Sequence, residues 1–378
     1  MRDVVIAGYA RSPFHIATKG ALARVRPDDL AATVVRALIE RTGIDPAKIE
    51  DLVIGCAFPE GEQGLNVARL IGLLADLPLS VGGVTINRFC GSSMSAVHYA
   101  AGQIQLGAGD AFVCGGVESM SRVPMMGFNP LPNAALVQRS AAYIGMGDTA
   151  ENVASRYGIA RDAQEAFALA SQHKTGVAQA AGRFAAEIVA IATKAGLVDT
   201  DGTPRPGTTA EALAALKPAF NASGTVTAGT SSPLTDGASA VLVVAEDFAR
   251  AAGLPILARI KSVAISGCAP EIMGIGPVAA SQKALARAGI TVADLDVIEL
   301  NEAFASQALA CIADLGLDPA KVNLDGGAIA IGHPLGATGA RIVGKAAALL
   351  QREGGRYALA TQCIGGGQGI ATVLEAVR

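Results

Sequence analysis

Residues 30–58, LAATVVRALIERTGIDPAKIEDLVIGCAF, and residues 276–304, GPVAASQKALARAGITVADLDVIELNEAF, are two copies of one plan. Each opens with a helical pattern, stops at a Gly-Ile pair, crosses a short spacer and enters an apolar strand. Gly43 matches Gly289, Ile44 matches Ile290, Ile49 matches Leu295, Ala57 matches Ala303 and Phe58 matches Phe304, at a constant offset of 246 (289 − 43). The two strands are Leu52-Val53-Ile54 and Val297-Ile298-Glu299-Leu300. Carrying the offset forward sets Cys90 opposite Gly336, and a slightly larger shift sets Gly115-Gly116 opposite Gly365-Gly366. Helices alternating with strands predict parallel strands sandwiched between helices, joined by right-handed crossovers. The expected fold class is therefore α/β, built from two duplicated βαβαβ-type halves. Shared positions hold the scaffold, and positions that differ are where function can reside. Gly55-Cys56 in the first copy is replaced by Asn301-Glu302 in the second.

Residues 121–234 follow another style, with Met125, Met126 and Met146, several prolines, and helical segments around 150–182 and 209–216. They read as an inserted loop domain of the kind that covers a site. The chain divides into a first half at 1–120, completed by about 235–260, the insertion at 121–234, and a second half at 261–378.

Composition narrows the function classes. Hydrophobic residues make up 51% and charged ones 17%, enough for a large core, and the length of 378 residues calls for two or three packed units. Thirty basic residues against 33 acidic ones give a net charge of −3, which argues against nucleic acid or an anionic membrane as partner. Apolar stretches are all interrupted before membrane-spanning length. The six cysteines lack metal or disulfide spacing, Val4-Val5-Ile6-Ala7 follows Met1 without a leader pattern, and the Glu375–Arg378 tail is no peroxisomal tripeptide. A cytoplasmic location is expected.

Three separated motifs carry chemistry. The extended run Val84–Phe89 breaks at Cys90 into Gly91-Ser92-Ser93 and a helical pattern. A thiol there meets the helix dipole, with Arg88 beside it, which favours the nucleophilic thiolate. A free cysteine more often packs as a small hydrophobe, and Cys56, Cys114, Cys268 and Cys311 are read that way. His333 lies in Gly332-His333-Pro334-Leu335-Gly336, a tight loop feeding a helix that starts near Ala340; an imidazole there can take a thiol proton. His15, His98 and His173 lack such a loop and are read as structural. Cys363 follows a strand at Tyr357–Ala360 and opens Gly365-Gly366-Gly367. That loop could be a plain turn or a phosphate cradle, but it lacks the Lys-Ser/Thr ending of a P-loop. Asn301 either caps the next helix or orients a water or an oxyanion beside His333, with Glu302 placing its neighbours.

Asn87-Arg88-Phe89-Cys90, Asn301-Glu302-Ala303-Phe304-Ala305, Gly332-His333-Pro334-Leu335-Gly336 and Cys363-Ile364-Gly365-Gly366-Gly367 resemble the four signature blocks of the thiolases, the acetyl-CoA acyltransferases. They stand in that family's order and spacing over the whole chain. The resemblance implies α-β-α-β-α layers, an acyl-thioester on Cys90, activation by His333, and proton transfer at the substrate α-carbon by Cys363. It implies one oxyanion hole from His333 and a water on Asn301, and another from the amides of Cys90 and Gly365. Arg205 and Ser232 match residues near the nucleotide and pantetheine of coenzyme A, which is a substrate, with no permanently bound cofactor and no metal. Gly145, before Met146, replaces a histidine of short-chain biosynthetic members, which leaves room for a longer acyl chain and favours ping-pong 3-ketoacyl-CoA thiolysis. The alternatives are a short-chain acetoacetyl-CoA thiolase, a decarboxylating synthase on a carrier protein (which typically uses Cys-His-His), and a noncatalytic acyl-CoA- or lipid-binding module. A homotetramer is implied, with a dimer as the minimum.

Overall fold

The computed structural model describes residues 2–377; Met1 and Arg378, the ends of the leader and tail readings, lie outside it. The strands are β1 (Val4–Arg11), β2 (His15–Ile16), β3 (Asp51–Gly55), β4 (Gly82–Ile86) and β5 (Ala111–Ser119) in the first half. A hairpin of β6 (Ile191–Thr193) and β7 (Gly196–Val198) follows in the insertion, then β8 (Thr235–Ala245), β9 (Ala258–Gly267), β10 (Val297–Leu300), β11 (Tyr357–Ile364) and β12 (Gln368–Glu375). The helices are α1 (Pro27–Thr42), α2 (Val67–Leu74), α3 (Ser92–Gln105), α4 (Ala134–Arg139), α5 (Met146–Arg156) and α6 (Arg161–Ala180). They continue with α7 (Ala210–Ala214), α8 (Glu246–Ala251), α9 (Gly276–Ala288), α10 (Ala305–Leu315), α11 (Ala328–Ile331) and α12 (Leu335–Glu353).

The duplication is visible in backbone detail. Both α1 and α9 carry proline in the first turn and end on a glycine at φ +70°, Gly43 and Gly289, a left-handed cap that side chains resist. In the parallel β3–β5 pair Asp51 faces Phe112, and in the parallel β10–β11 pair Val297 faces Ala358. Both partners move by the same 246 positions (297 − 51 and 358 − 112). Gly115 therefore corresponds to Thr361, and the expected pairing of Gly115-Gly116 with Gly365-Gly366 is wrong. The offset never changes, and the Gly365 turn follows the duplicated strand.

The expectation of parallel strands holds only for β3, β4, β5, β10 and β11. β8 and β12 run antiparallel to their neighbours. β12 returns directly from β11 through a three-residue turn too short for a crossover helix, with Gly366 and Gly367 at positive φ. The two halves also fuse. The strand order β10-β11-β12-β9-β1-β8-β5-β3-β4 is one ten-stranded sheet, counting β2 on β8. Within the sheet, the halves join where Val5 and Ile6 pair with Arg259 and Ala258.

Alternation along the strands decides the layers. Val5, Ala7 and Ala10 of β1 pack with α1 and α2, whereas Val4, Ile6 and Tyr9 face a central core with α3 and α12. In the second half Ala358 and Ala360 enter the same central core, while Leu359 joins α9 and α10 outside. The order is thus helix, sheet, helix, sheet, helix. α3 and α12 press together where Gly339 meets Met94; a Cβ on Gly339 would lie 2.3 Å from the Met94 nitrogen. The insertion departs from expectation in detail. Its first helical segment is two helices, α5 and α6, parted at Gly158 with φ +62°, and α4 and the β6–β7 hairpin are additional. α7 ends at Ala214.

Candidate active site at the seam of the two halves

Cys90 sits between β4 and α3 on a single turn, Phe89–Gly91. Its neighbour Phe89 has φ +44°, a conformation that costs a bulky residue on the order of 1 kcal/mol. The turn holds because Asn87 Oδ1 accepts the Phe89 N–H at 2.9 Å and Ser92 Oγ donates to the Phe89 carbonyl at 2.6 Å. Gln362 donates from the second half to the Cys90 carbonyl. Sequence reasoning missed this strain, since Phe89 carries no turn signal.

The thiol is not activated as expected. Arg88 turns away, its guanidinium donating to Ser95 Oγ at 2.9 Å and Gln368 Oε1 at 3.0 Å. Burial pushes the Cys90 thiol up to about 12; the Gly365 and Cys90 amides acting on the sulfur only partly offset it, and the Glu118 charge adds to the rise. Burial outweighs the helix terminus, so Cys90 rests as a thiol.

His333 reaches the same place through Gly332, whose φ is +106° and whose Cβ, if present, would lie 2.8 Å from Thr235 Cγ2. The His333 N–H donates to Thr235 Oγ1 at 3.1 Å, which pins the loop to the first residue of β8. Its ring is held at both nitrogens: Nδ1 is 2.6 Å from Thr338 Oγ1, and Nε2 is 3.4 Å from Asn301 Nδ2. Burial, with the Arg341 charge behind it, drives the imidazole down to about 3, so it rests neutral. α12 begins at Leu335, five residues before the expected Ala340, because Gly336 and Gly339 serve close packing rather than ending the helix.

Cys363 lies inside β11, which runs to Ile364, four residues beyond the expected end at Ala360, and Cys363 pairs with Gly369 across the hairpin. Burial raises this thiol well above its ordinary value, and a charge on Cys90 raises it further. Asn301 does not cap α10, whose N-cap is Phe304. It is fully buried, and its Oδ1 has no partner among protein atoms. Glu302 is also buried, accepting from Ser171 Oγ and Asn323 Nδ2, both at 2.7 Å, and from the Ile329 N–H at 3.1 Å. It ties the Asn301 loop to α6 and α11.

Cys90, His333 and Cys363 line one cavity of about 280 Å³ with Gly145, Met146, Ser232 and Phe304. Met146 and Cys90 also line a second, apolar cavity of about 500 Å³, with Phe58, Met125, Met126, Leu131, Tyr143, Gly365 and Gly366. Ser232 is fixed by its N–H to the Ala303 carbonyl at 3.0 Å. Arg205 is not brought in: it is exposed, lines neither cavity, and is held through its backbone N–H by Gln172 Oε1 at 2.8 Å.

Two thiols and a neutral imidazole around one buried space, with backbone amides on one sulfur, form a constellation suited to covalent thiol chemistry. Residues 4–247 match the thiolase N-terminal domain and residues 254–376 the thiolase C-terminal domain. The chain is 47% identical to a 3-ketoacyl-CoA thiolase of Bacillus subtilis, over 99% of this chain and all of that protein. It is 51% identical to one from Shewanella denitrificans over the full length of both. Its structure resembles human mitochondrial 3-ketoacyl-CoA thiolase in complex with CoA, with a TM-score of 0.92 and 37% identity over 100% of this chain and 98% of that one. The chain belongs to the thiolase family of acyltransferases.

Proposed function

We propose that this protein catalyses the CoA-dependent thiolysis of 3-ketoacyl-CoA to acetyl-CoA and a shortened acyl-CoA, and the reverse condensation. The observation that carries it is the meeting of Cys90, His333 and Cys363 on one cavity. His333 takes the Cys90 proton as the sulfur attacks the 3-keto carbon, and the negative charge passes to the keto oxygen. Collapse breaks the C2–C3 bond, leaves the acyl group on Cys90, and expels the enolate of acetyl-CoA, whose α-carbon receives the Cys363 proton. CoA thiol then gives its proton to Cys363 and attacks the thioester; the shortened acyl-CoA leaves and His333 returns the proton to Cys90. The amides of Cys90 and Gly365 serve one oxyanion. His333 with a water on Asn301 serves the enolate oxygen, and one such donor is worth about 2.7–4 kcal/mol.

The apolar cavity beside Cys90 and the glycine at 145 support longer acyl chains, and hence the degradative direction, with Met146 at the junction of the two cavities. Ser232, on the wall of the cavity, supports a contact with pantetheine, and Arg205 meets the nucleotide outside it in this reading. Residues 121–234 act as the cover of the site, since Met125, Met146, Phe220 and Ser232 all line it. A homo-oligomer is supported by β4, an edge strand of the sheet, half-buried at every residue and with one side unpaired. A reducing, cytoplasmic setting is supported by six free cysteines. No helix among the described residues is long and apolar enough to cross a membrane.

The test is product analysis with a medium-chain 3-ketoacyl-CoA and CoA. Equal amounts of acetyl-CoA and the acyl-CoA shortened by two carbons are expected, without CO2. Release of CO2, or no turnover with any chain length, would remove this reading.

A further inference from the structure

We propose that Glu118 is a positioning residue of the site, whose carboxylate fixes the pocket wall of the first half to the His333-bearing segment of the second. Glu118 is the penultimate residue of β5 and is 1% exposed. Its Oε2 accepts the N–H of Ala57 at 2.8 Å and of Gly336 at 2.9 Å. Its Oε1 accepts the Phe58 N–H at 3.2 Å and Gln63 Nε2 at 3.0 Å, with the Cys56 thiol at 3.7 Å. Every one of these partners is a donor, so the arrangement suits a carboxylate and leaves a carboxylic acid proton without an acceptor.

The partners belong to different parts of the site. Ala57 and Phe58 follow β3; the Phe58 ring lies 5.9 Å from that of Phe89, next to Cys90, and lines the apolar cavity. Gly336 stands in the first turn of α12, between His333 and its ring partner Thr338. A Cβ on Gly336 would lie 2.8 Å from Glu118 Oε2, so backbone and carboxylate meet here at glycine distance. Glu118 itself lines neither cavity, and its effect passes through what it holds. Its negative charge also acts on the Cys90 sulfur, whose titratable companions in the cavity are His333, Cys363 and Asp148.

The rate part of the test rests on the thiolysis reading; the alkylation part does not. Glu118→Gln keeps the size of the side chain but turns a donor toward donors and removes the charge. Its kcat should fall about a hundredfold, the scale of a misplaced catalytic group, with KM for CoA nearly unchanged. Alkylation of Cys90 by iodoacetamide at pH 8 should become about tenfold faster, because removing a nearby negative charge lowers the thiol pKa. Glu118→Asp keeps the charge and shortens the reach, so kcat should fall at least about tenfold while alkylation at pH 8 stays at the wild-type rate. Wild-type kcat in either folded variant, or unchanged alkylation in folded Glu118→Gln, overturns the proposal. Loss of folded protein in both variants overturns it too, since the residue then serves stability. An inactive wild-type enzyme would sink thiolysis alone, leaving the alkylation comparison intact.

Discussion

His333 Nε2 lies 3.4 Å from Asn301 Nδ2, although the two residues come from separate loops at the carboxyl side of β10 and the start of α12. The contact forms because Glu302 and Thr235 clamp those loops independently. The imidazole is thus held by its surroundings and not by its own loop alone.

Removing that partner has a defined consequence. Asn301→Ala should lower kcat by about 10²–10³-fold, the cost of one oxyanion donor, while Cys90 still becomes acylated by a simple acyl-CoA, a step that forms no enolate. Rapid-quench measurement of acyl-enzyme formed from a simple acyl-CoA, against steady-state thiolysis of a 3-ketoacyl-CoA, separates the two steps. Loss of acylation equal to the loss of turnover would move Asn301 from enolate stabilisation to Cys90 activation.

The resting thiol should show itself in pH dependence. With Cys90 near 12 and His333 near 3, both groups are neutral across the working range. The thiolate fraction then rises tenfold per pH unit. Iodoacetamide alkylation of Cys90 in the free enzyme should climb steadily from pH 6 to pH 9; a plateau in that window would reveal a resting thiolate–imidazolium pair.

Acid should destabilise the fold through buried His333 and half-buried His98. His333 and His98 both have pKa values lowered by burial from 6.5 to about 3. In each case the unfolded state binds the proton first as pH falls, so stability present above about 6.5 is lost between there and about 3. The slope approaches about 1.4 kcal/mol per pH unit for each histidine. Thermal melts of His98→Gln should show a shallower decline over pH 6.5 to 4 than wild type, and an identical slope would contradict this.

Gly145 offers a switch of chain length. It lines the reaction cavity, and a Cβ there meets only the Asp148 carboxylate, at 2.8 Å. Gly145→His should lower kcat/KM for long 3-ketoacyl-CoA substrates by about 10–200-fold, the range for a changed apolar contact, and spare the four-carbon substrate. A uniform loss at every length would show that residue 145 does not border the acyl path.

A cluster far from the thiols carries stability. Arg11 is fully buried, paired with Asp201 at 2.7 Å and Glu187 at 2.8 Å and flanked by the Phe14 and Phe184 rings. Arg11→Met leaves Asp201 without a charged partner and Glu187 with Lys345 alone, and should cost about 3–5 kcal/mol in denaturant unfolding. A cost below about 1 kcal/mol would mean that the network relaxes around the loss.

Much of this architecture is legible in the sequence, for physical reasons. The helix–Gly-Ile–strand plan repeats because the same left-handed cap is needed at Gly43 and Gly289, and glycine serves it at little cost. Cys90, His333 and Cys363 stand out because each sits beside a run of small residues at the end of a regular element or between two. What the sequence hides is set by long-range contact. Gly336 and Gly339 look like helix breakers but are interior helix residues shaped by Glu118 and Met94. Arg88 looks like an activator of Cys90 until Ser95 and Gln368 claim it. Glu118 gives no local signal, since its five donors come from three separate segments.

The most direct measurement is the mass of the protein and its peptides after brief exposure to a 3-ketoacyl-CoA without free CoA. Wild type and Cys363→Ala should differ: wild type should gain one acyl group, carried on the Cys90 peptide, and release acetyl-CoA, while Cys363→Ala should be acylated from a simple acyl-CoA but fail to join or cleave carbon–carbon bonds. Cys90→Ala should gain nothing. An acyl group found in Cys90→Ala, or on any other residue of the wild type, would contradict the account.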